Sequence, residues 1–153
     1  MLAAGSKAPG FVLDRLEGGR ESLEEILARG PALVALYKIS CPVCQLALPF
    51  LDRISKGSLQ VIAISQDDER GTHRFRETFK VAMPTLLDRE RDGYPVSNGF
   101  GITHVPSLFL IDRDGTIALA QSGFVKSELD ALGKRSGVET FRPGEKVPEW
   151  KGG

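Results

Sequence analysis

The chain contains two cysteines, Cys41 and Cys44, and they lie two residues apart in the segment KISCPVCQ, residues 38–45. Paired thiols at this spacing can exchange disulfides, bind a soft metal ion, or serve as small apolar core residues. A disulfide across so short a loop removes little chain entropy, so stabilisation alone is a weak reason for the pair. The spacing therefore favours a chemical role over a structural one.

The pair lies where a buried strand is predicted to end and a helix to begin. The apolar run ALVALYKI, residues 32–39, predicts a strand buried on both faces. Residues 42–56 predict a helix, which Pro49 should kink. With Cys41 at the N-cap, its sulfur faces the free N–H groups of the first turn, including that of Cys44. Those donors and the helix dipole favour the thiolate, which is the nucleophile in disulfide exchange.

The spacing also provides for the second step of an exchange. A mixed disulfide formed by Cys41 can be attacked by Cys44, one helical turn further on, and the reduced substrate is then released. We expect Cys44 to be the more buried sulfur because it lies further into the helix. Pro42 suits the first helical position, where its missing N–H costs nothing.

The remaining pattern alternates apolar runs with helical segments, which is typical of an α/β fold. A glycine-rich turn predicts an N-terminal β-hairpin, and Ser22 with Glu25 predicts a capped helix after it. The predicted hairpin strands are 11–16 and 20–23, the later strands are 59–65, 85–88, 107–112 and 116–122, and the later helical segments are 70–80, 94–101 and 127–136. We expect one domain over 1–153, with a core of about 5–137 and a polar C-terminal tail, 138–153, whose end is loose. The position of Trp150 is left open.

The overall charge narrows the possible partners. Twenty basic and twenty acidic side chains cancel, and no basic stripe indicates nucleic acid or an anionic membrane. No apolar run approaches the roughly 18 residues that a membrane-spanning helix needs. The N-terminal residues lack the pattern of a secretory signal. The expected location is therefore the cytoplasm, or the periplasm or another extracytoplasmic space if a leader or anchor was removed, and we expect a monomer.

The motifs resemble the TlpA/ResA-like thiol–disulfide oxidoreductases, a redoxin group within the thioredoxin superfamily. The resemblance covers about residues 5–137 and rests on GSKAPGFVLDRLEGGRESLEEI, LYKISCPVCQLALPFLDRI, VIAISQDD, FRETFKVAMPTLLD and FGITHVPSLFLIDRDGTI. It implies a thioredoxin-like fold, with a central mixed β-sheet flanked by helices. It also implies disulfide exchange with protein partners and an unidentified electron donor, with no cofactor beyond the cysteine pair.

The resemblance implies roles for individual residues. Cys41 would be the attacking thiol and Cys44 the resolving thiol. Pro106 would be a cis proline facing the cysteines, and Val105 would offer its backbone to an extended substrate peptide. Ala35 stands where thioredoxins carry a buried acid, so a proton acceptor for Cys44 must come from elsewhere.

A carboxylate just after the next strand provides such an acceptor in TlpA/ResA-type proteins. Asp68 or Asp67 matches that position. Either aspartate could equally lie in a solvated loop or cap the helix that follows. Both interpretations remain open from the sequence.

Two basic side chains could also affect the cysteines. Lys38, three residues before Cys41, could stabilise its thiolate or could point to solvent. His104, two residues before Pro106, could tune Cys41 or could complete a soft three-ligand site for Cu(I) or zinc with the two thiolates. That site would make the protein a metal carrier, although redoxin metal carriers use a CxxxC spacing. A peroxiredoxin is a third hypothesis, and it is weakened because Lys38 stands where that chemistry needs threonine or serine.

Overall fold

The computed structural model describes residues 1–153. Its strands are β1 Val12–Arg15, β2 Arg20–Ser22, β3 Ala32–Tyr37, β4 Gln60–Ser65, β5 Thr85–Leu87, β6 Ser107–Ile111, β7 Ile117–Ser122, β8 Phe124–Val125 and β9 Trp150–Lys151. Its α-helices are α1 Leu23–Ala28, α2 Pro42–Ser55, α3 Glu69–Phe79, α4 Pro95–Gly99 and α5 Lys126–Ser136, and a 3₁₀ turn covers Glu90–Asp92. None of the helices is both long enough and apolar enough to cross a bilayer.

Seven strands form one mixed sheet in the order β2-β1-β5-β4-β3-β6-β7. Strands β3, β4 and β5 run parallel, whereas β6 is antiparallel to β3 and β1 is antiparallel to β5. The predicted N-terminal hairpin is confirmed, with β1 paired to β2 and Leu13 opposite Glu21. The predicted fold class, a central mixed sheet flanked by helices, is therefore confirmed.

Strand β3 lies inside the sheet, between β4 and β6, and is buried on both faces. Its alternate residues Leu33, Ala35 and Tyr37 belong to one apolar cluster, together with residues of α2, α3 and α5. The intervening residues Ala32, Val34 and Leu36 belong to the other cluster, which is covered by α1 and α4. Because side chains alternate across a strand, a continuous apolar run here fills both cores, as the sequence pattern predicts.

Polar side chains cap the first turns of α1 and α4 near the carboxyl edge of the sheet. Ser22 and Glu25 form the predicted capping box of α1. The buried carboxylate of Asp88, just after β5, accepts hydrogen bonds from the backbone N–H groups of Val96 and Ser97 at 2.9 and 2.8 Å. Asp88 thereby holds the start of α4, which leads into the loop before β6. Helix α2 continues through Pro49, and the kink expected there stays a prediction.

The C-terminal tail packs against the domain, and the loose end expected from its composition stays a prediction. Phe141 contacts Phe50 of α2, with ring centroids 4.8 Å apart. Arg53 of α2 makes two hydrogen bonds to the Glu145 carboxylate, at 2.8 and 2.7 Å, and lowers its pKa to about 2. Further on, β9 pairs antiparallel with β8. The tail contains few apolar residues, and the contacts that fix it join residues far apart in the chain. A local sequence pattern therefore does not reveal them.

Candidate active site

Cys41 is the N-cap residue of α2, as predicted from the sequence. Its backbone is extended, with φ −85° and ψ 117°, and its sulfur accepts a hydrogen bond from the N–H of Cys44 at 3.2 Å. The thiol also donates to the carbonyl oxygen of Val105, at 3.5 Å. Cys41 is half-buried, so a substrate sulfur can reach it. The N–H of Cys44 thus holds the Cys41 sulfur at the first turn of α2.

Cys44 is fully buried within the cluster between the sheet and α2. Burial raises the pKa of the Cys44 thiol, and the nearby Cys41 sulfur and Asp67 carboxylate raise it further. The thiol therefore keeps its proton at neutral pH. The expected difference between an accessible first sulfur and a buried second sulfur is present.

The loop before β6 faces the cysteines through its backbone. The Val105–Pro106 peptide bond is cis. The Ser107 hydroxyl donates to the carbonyl of His104 at 2.6 Å, and the N–H of Gly123 donates to the carbonyl of Pro106 at 2.8 Å. These bonds hold Val105 beside the Cys41 sulfur.

The two adjacent aspartates have different surroundings. Asp67 accepts a hydrogen bond from the N–H of Ile39 at 2.8 Å, which places its carboxylate at the end of β3. Asp67 is also close enough to affect the pKa of Cys44. Asp68 is the N-cap of α3 and accepts from the N–H of Gly71 at 2.8 Å. Of the two candidates that the sequence offered, Asp67 contacts the segment between β3 and Cys41, whereas Asp68 caps α3.

Lys38 and His104 line an open groove of about 320 Å³ that leads to Cys41. Both side chains are exposed, and His104 shares a hydrogen bond with the Thr103 hydroxyl at 2.9 Å. No group of three or more histidine, cysteine, aspartate or glutamate side chains in residues 1–153 is arranged to hold a metal ion. The hypothetical ligand set of Cys41, Cys44 and His104 is therefore not assembled.

Sequence reasoning missed one part of this groove. Gly153 lines it together with Cys41 and Val105, although 112 residues separate Gly153 from Cys41 in the chain. A polar cavity of about 550 Å³ lies beside the groove and shares Lys38 and Gln66 with it. No motif in the tail could have indicated Gly153, because only the β8–β9 pairing brings that residue to the site.

Known proteins resemble this chain in sequence and in architecture. Thiol-disulfide oxidoreductase ResA of Geobacillus thermodenitrificans is 26% identical over 132 residues, which cover 83% of this chain and 74% of that protein. The thioredoxin domain of a thiol-disulfide oxidoreductase from Bacteroides vulgatus superposes with a TM-score of 0.77 at 22% identity, covering 89% of this chain and 99% of that one. A Chlorobium tepidum protein assigned as the thiol:disulfide interchange protein DsbE gives a TM-score of 0.75 at 23% identity, covering 88% and 96%.

The fold is therefore thioredoxin-like, in agreement with the resemblance seen in the motifs. The AhpC/TSA family model matches residues 4–120, a range that runs from before the N-terminal hairpin into β7 and includes both cysteines and the cis proline. With more than half of its length matched by that model, the chain belongs to the AhpC/TSA family.

Proposed function

We propose that the protein is a thiol–disulfide oxidoreductase that acts on protein substrates through Cys41 and Cys44. The observation that carries the proposal is a half-exposed sulfur at a helix N-cap, one turn before a fully buried second sulfur. Relatives that match most of this chain bear the name of that activity. Both sulfurs and the facing loop belong to one chain, so we also propose that a monomer suffices.

The exchange proceeds in two displacements. The Cys41 thiolate attacks one sulfur of a substrate disulfide, so that a Cys41–substrate disulfide forms and the other substrate sulfur leaves as a thiolate. Cys44 then loses its proton and attacks the Cys41 sulfur, which releases the second substrate thiolate. The substrate gains two electrons, and the protein is left with a Cys41–Cys44 disulfide. A dithiol donor restores the reduced pair, and no other cofactor is needed.

Trapping the intermediate tests which sulfur attacks. Cys44→Ser should accumulate a covalent complex with a protein disulfide such as insulin, because the first displacement proceeds and the second cannot. Cys41→Ser should accumulate none, since the buried Cys44 thiol is out of reach. Non-reducing electrophoresis with mass spectrometry measures the adduct and its position. An adduct formed through Cys44 in the Cys41→Ser protein would reverse the assignment.

The second displacement needs a base, because burial keeps Cys44 protonated. We propose that Asp67 accepts this proton, directly or through a water molecule. Three observations support it: the hydrogen bond from Ile39, its effect on the Cys44 pKa, and the absence of an acid at Ala35. Asp68 is committed to the cap of α3.

Separate substitution of Asp67 and Asp68 distinguishes a residue that acts as a base from one that only caps a helix. We expect Asp67→Asn to slow resolution of the mixed disulfide about a hundredfold or more, with initial attack by Cys41 little changed, because general-base catalysis contributes on that scale. Asp68→Asn is the matched control and should leave the resolution rate unchanged, since asparagine also caps helices well. Rapid-quench measurement of both steps, repeated across pH, gives the answer. Equal slowing in the two variants would exclude Asp67 as the base.

A further inference from the structure

Residues 150–153, called the strap below, lie against the loop that contains Val105. Within the strap, β9 pairs with β8 so that Trp150 is opposite Val125 and Lys151 opposite Phe124. A Cβ atom built on Gly153 would lie 2.4 Å from the carbonyl oxygen of Val105. The end of the strap is thus in direct backbone contact with the loop.

The contacted carbonyl is the group that matters most for a polypeptide substrate. The Val105 carbonyl lies 3.5 Å from the Cys41 sulfur, and an extended substrate would pair with the backbone at this position. Gly153 occupies the space next to that carbonyl. A substrate strand and the strap therefore require the same place.

A small disulfide fits beside the strap. Gly153 forms part of the wall of the groove, yet about 320 Å³ stays open beside Cys41, and two other lining residues, Lys38 and His104, are exposed. A compact molecule can enter there and present its sulfur without forming any backbone hydrogen bond to Val105. The strap thus obstructs one class of substrate and leaves the other free.

We propose that the strap determines substrate specificity by keeping extended polypeptide disulfides away from Val105 until it detaches, while small disulfides react with Cys41 whether or not it is in place. The inference rests on the proposed function of Cys41. Substrate binding to a partly populated open state lowers the apparent affinity by the open fraction, so detachment controls the rate with protein substrates.

The strap is attached weakly enough to open. It pairs with β8 over only two residues, and a two-stranded ribbon is marginally stable by itself. Trp150 leaves 64% of its surface exposed, so opening costs little buried apolar area. The tail upstream remains fixed through Glu145 and Arg53, so the strap can detach while the domain stays folded.

Two adjacent glycines provide a matched pair of variants. Gly153→Ala places a methyl group against the Val105 carbonyl, so the end of the strap must move. Gly152→Ala meets only the Trp150 ring, at 3.2 Å, and this side chain can adjust. Neither glycine requires a positive φ, so the substitutions add no backbone strain. Gly153→Ala displaces only the end of the strap, whereas removal of Trp150–Gly153 takes the whole strap away.

The reduced protein is assayed in single turnover with insulin and with bis(2-hydroxyethyl) disulfide, a small uncharged probe. Gly153→Ala and the deletion should raise the second-order rate constant for insulin about tenfold, equivalent to ~1.4 kcal/mol. Gly152→Ala should match the unaltered protein with insulin. The rate with the small probe should change less than about twofold in every variant, because the groove beside Cys41 is already open with the strap in place.

Equal changes with both probes, or a slower reaction with insulin, would show that the strap supports the site and would overturn the proposal. A folded deletion variant that reacts with insulin at the unaltered rate would also overturn it. Thermal melting checks the fold of the deletion, and the single substitution decides the question if the deletion is unstable. An unaltered protein that reacts with neither probe would contradict the proposed function itself, and this result is distinct from the others.

Discussion

Replacement of Cys41 by serine is expected to reduce the rate of insulin disulfide reduction by dithiothreitol to the rate without protein. A serine hydroxyl is scarcely ionised at neutral pH and cannot form a mixed disulfide, so both displacements are lost. The remaining Cys44 thiol is fully buried and protonated, and cannot take over the attack. We expect a loss of at least about a hundredfold, as is usual when a covalent nucleophile is removed.

The neighbouring Ser40 provides the control for this change. Ser40 is exposed and lies next to Cys41, so Ser40→Ala alters the same turn without removing a sulfur. Its activity should stay close to that of the unaltered protein. The turbidity of reduced insulin, followed over time at equal concentrations of folded protein, measures the activity of the unaltered protein, Cys41→Ser and Ser40→Ala. Retention of more than about a tenth of the activity in Cys41→Ser would contradict Cys41 as the nucleophile, given the expected loss.

Alkaline pH is expected to destabilise the reduced protein through Cys44. Burial raises the pKa of this thiol, so the folded protein keeps a proton that the unfolded chain loses above its ordinary pKa of about 8.5. The folded state then binds more protons than the unfolded state, and the free energy of unfolding falls as pH rises. The fall reaches ~1.4 kcal/mol per pH unit for one group, and the stability is present in full below that pH window.

Tyr37 adds a second contribution at higher pH. Burial raises the pKa of its hydroxyl too, and a tyrosine in an unfolded chain titrates near pH 10. Between about pH 8.5 and 10, Cys44 therefore dominates, and above that range both groups act in the same direction.

Urea unfolding of the reduced protein between pH 7 and pH 10.5 measures this decline. Cys44→Ala should flatten the slope from about pH 8.5 upward, and Tyr37→Phe should flatten it only from about pH 10 upward. The Cys41–Cys44 disulfide form should resemble Cys44→Ala, because no thiol remains to titrate. An identical slope in the unaltered protein and Cys44→Ala would mean that Cys44 is solvated in solution.

The cysteine site was predictable from sequence because its determinants are local. The N-cap position of Cys41, Pro42 after it and the N–H of Cys44 lie within four consecutive residues. Strand β3 could be predicted for a similar reason, since a run that is apolar at every position must be buried on both faces. The loop at Pro106 required the motif resemblance, because the proline by itself suits many strand starts.

The choice between Asp67 and Asp68 could not be made from sequence. The two residues are adjacent and chemically identical, and the difference lies in which one caps α3. Asp68 caps α3 by accepting a hydrogen bond from the N–H of Gly71. Asp67 instead accepts from the N–H of Ile39, on a different part of the chain. That outcome depends on where β3 ends relative to α3, and this is a tertiary relation.

The path of the tail was unpredictable for a related reason. Its polar, glycine- and proline-rich composition indicates a flexible end, and each of its contacts is with a residue far away in sequence. Phe141, Glu145 and Trp150 contact different elements, and no periodicity connects them. Such sparse anchors carry no pattern that a local interpretation of the sequence could detect.

The bond between Arg53 and Glu145 has a consequence for how the strap would compete with substrates. Glu145 is fixed to the helix that carries both sulfurs. A detached strap therefore stays tethered to that helix through residues 146–149. A short tether maintains an effective concentration of roughly millimolar, whatever the protein concentration. Dilution of the enzyme would therefore leave the competition unchanged, and only a substrate of sufficient concentration or affinity could displace the strap.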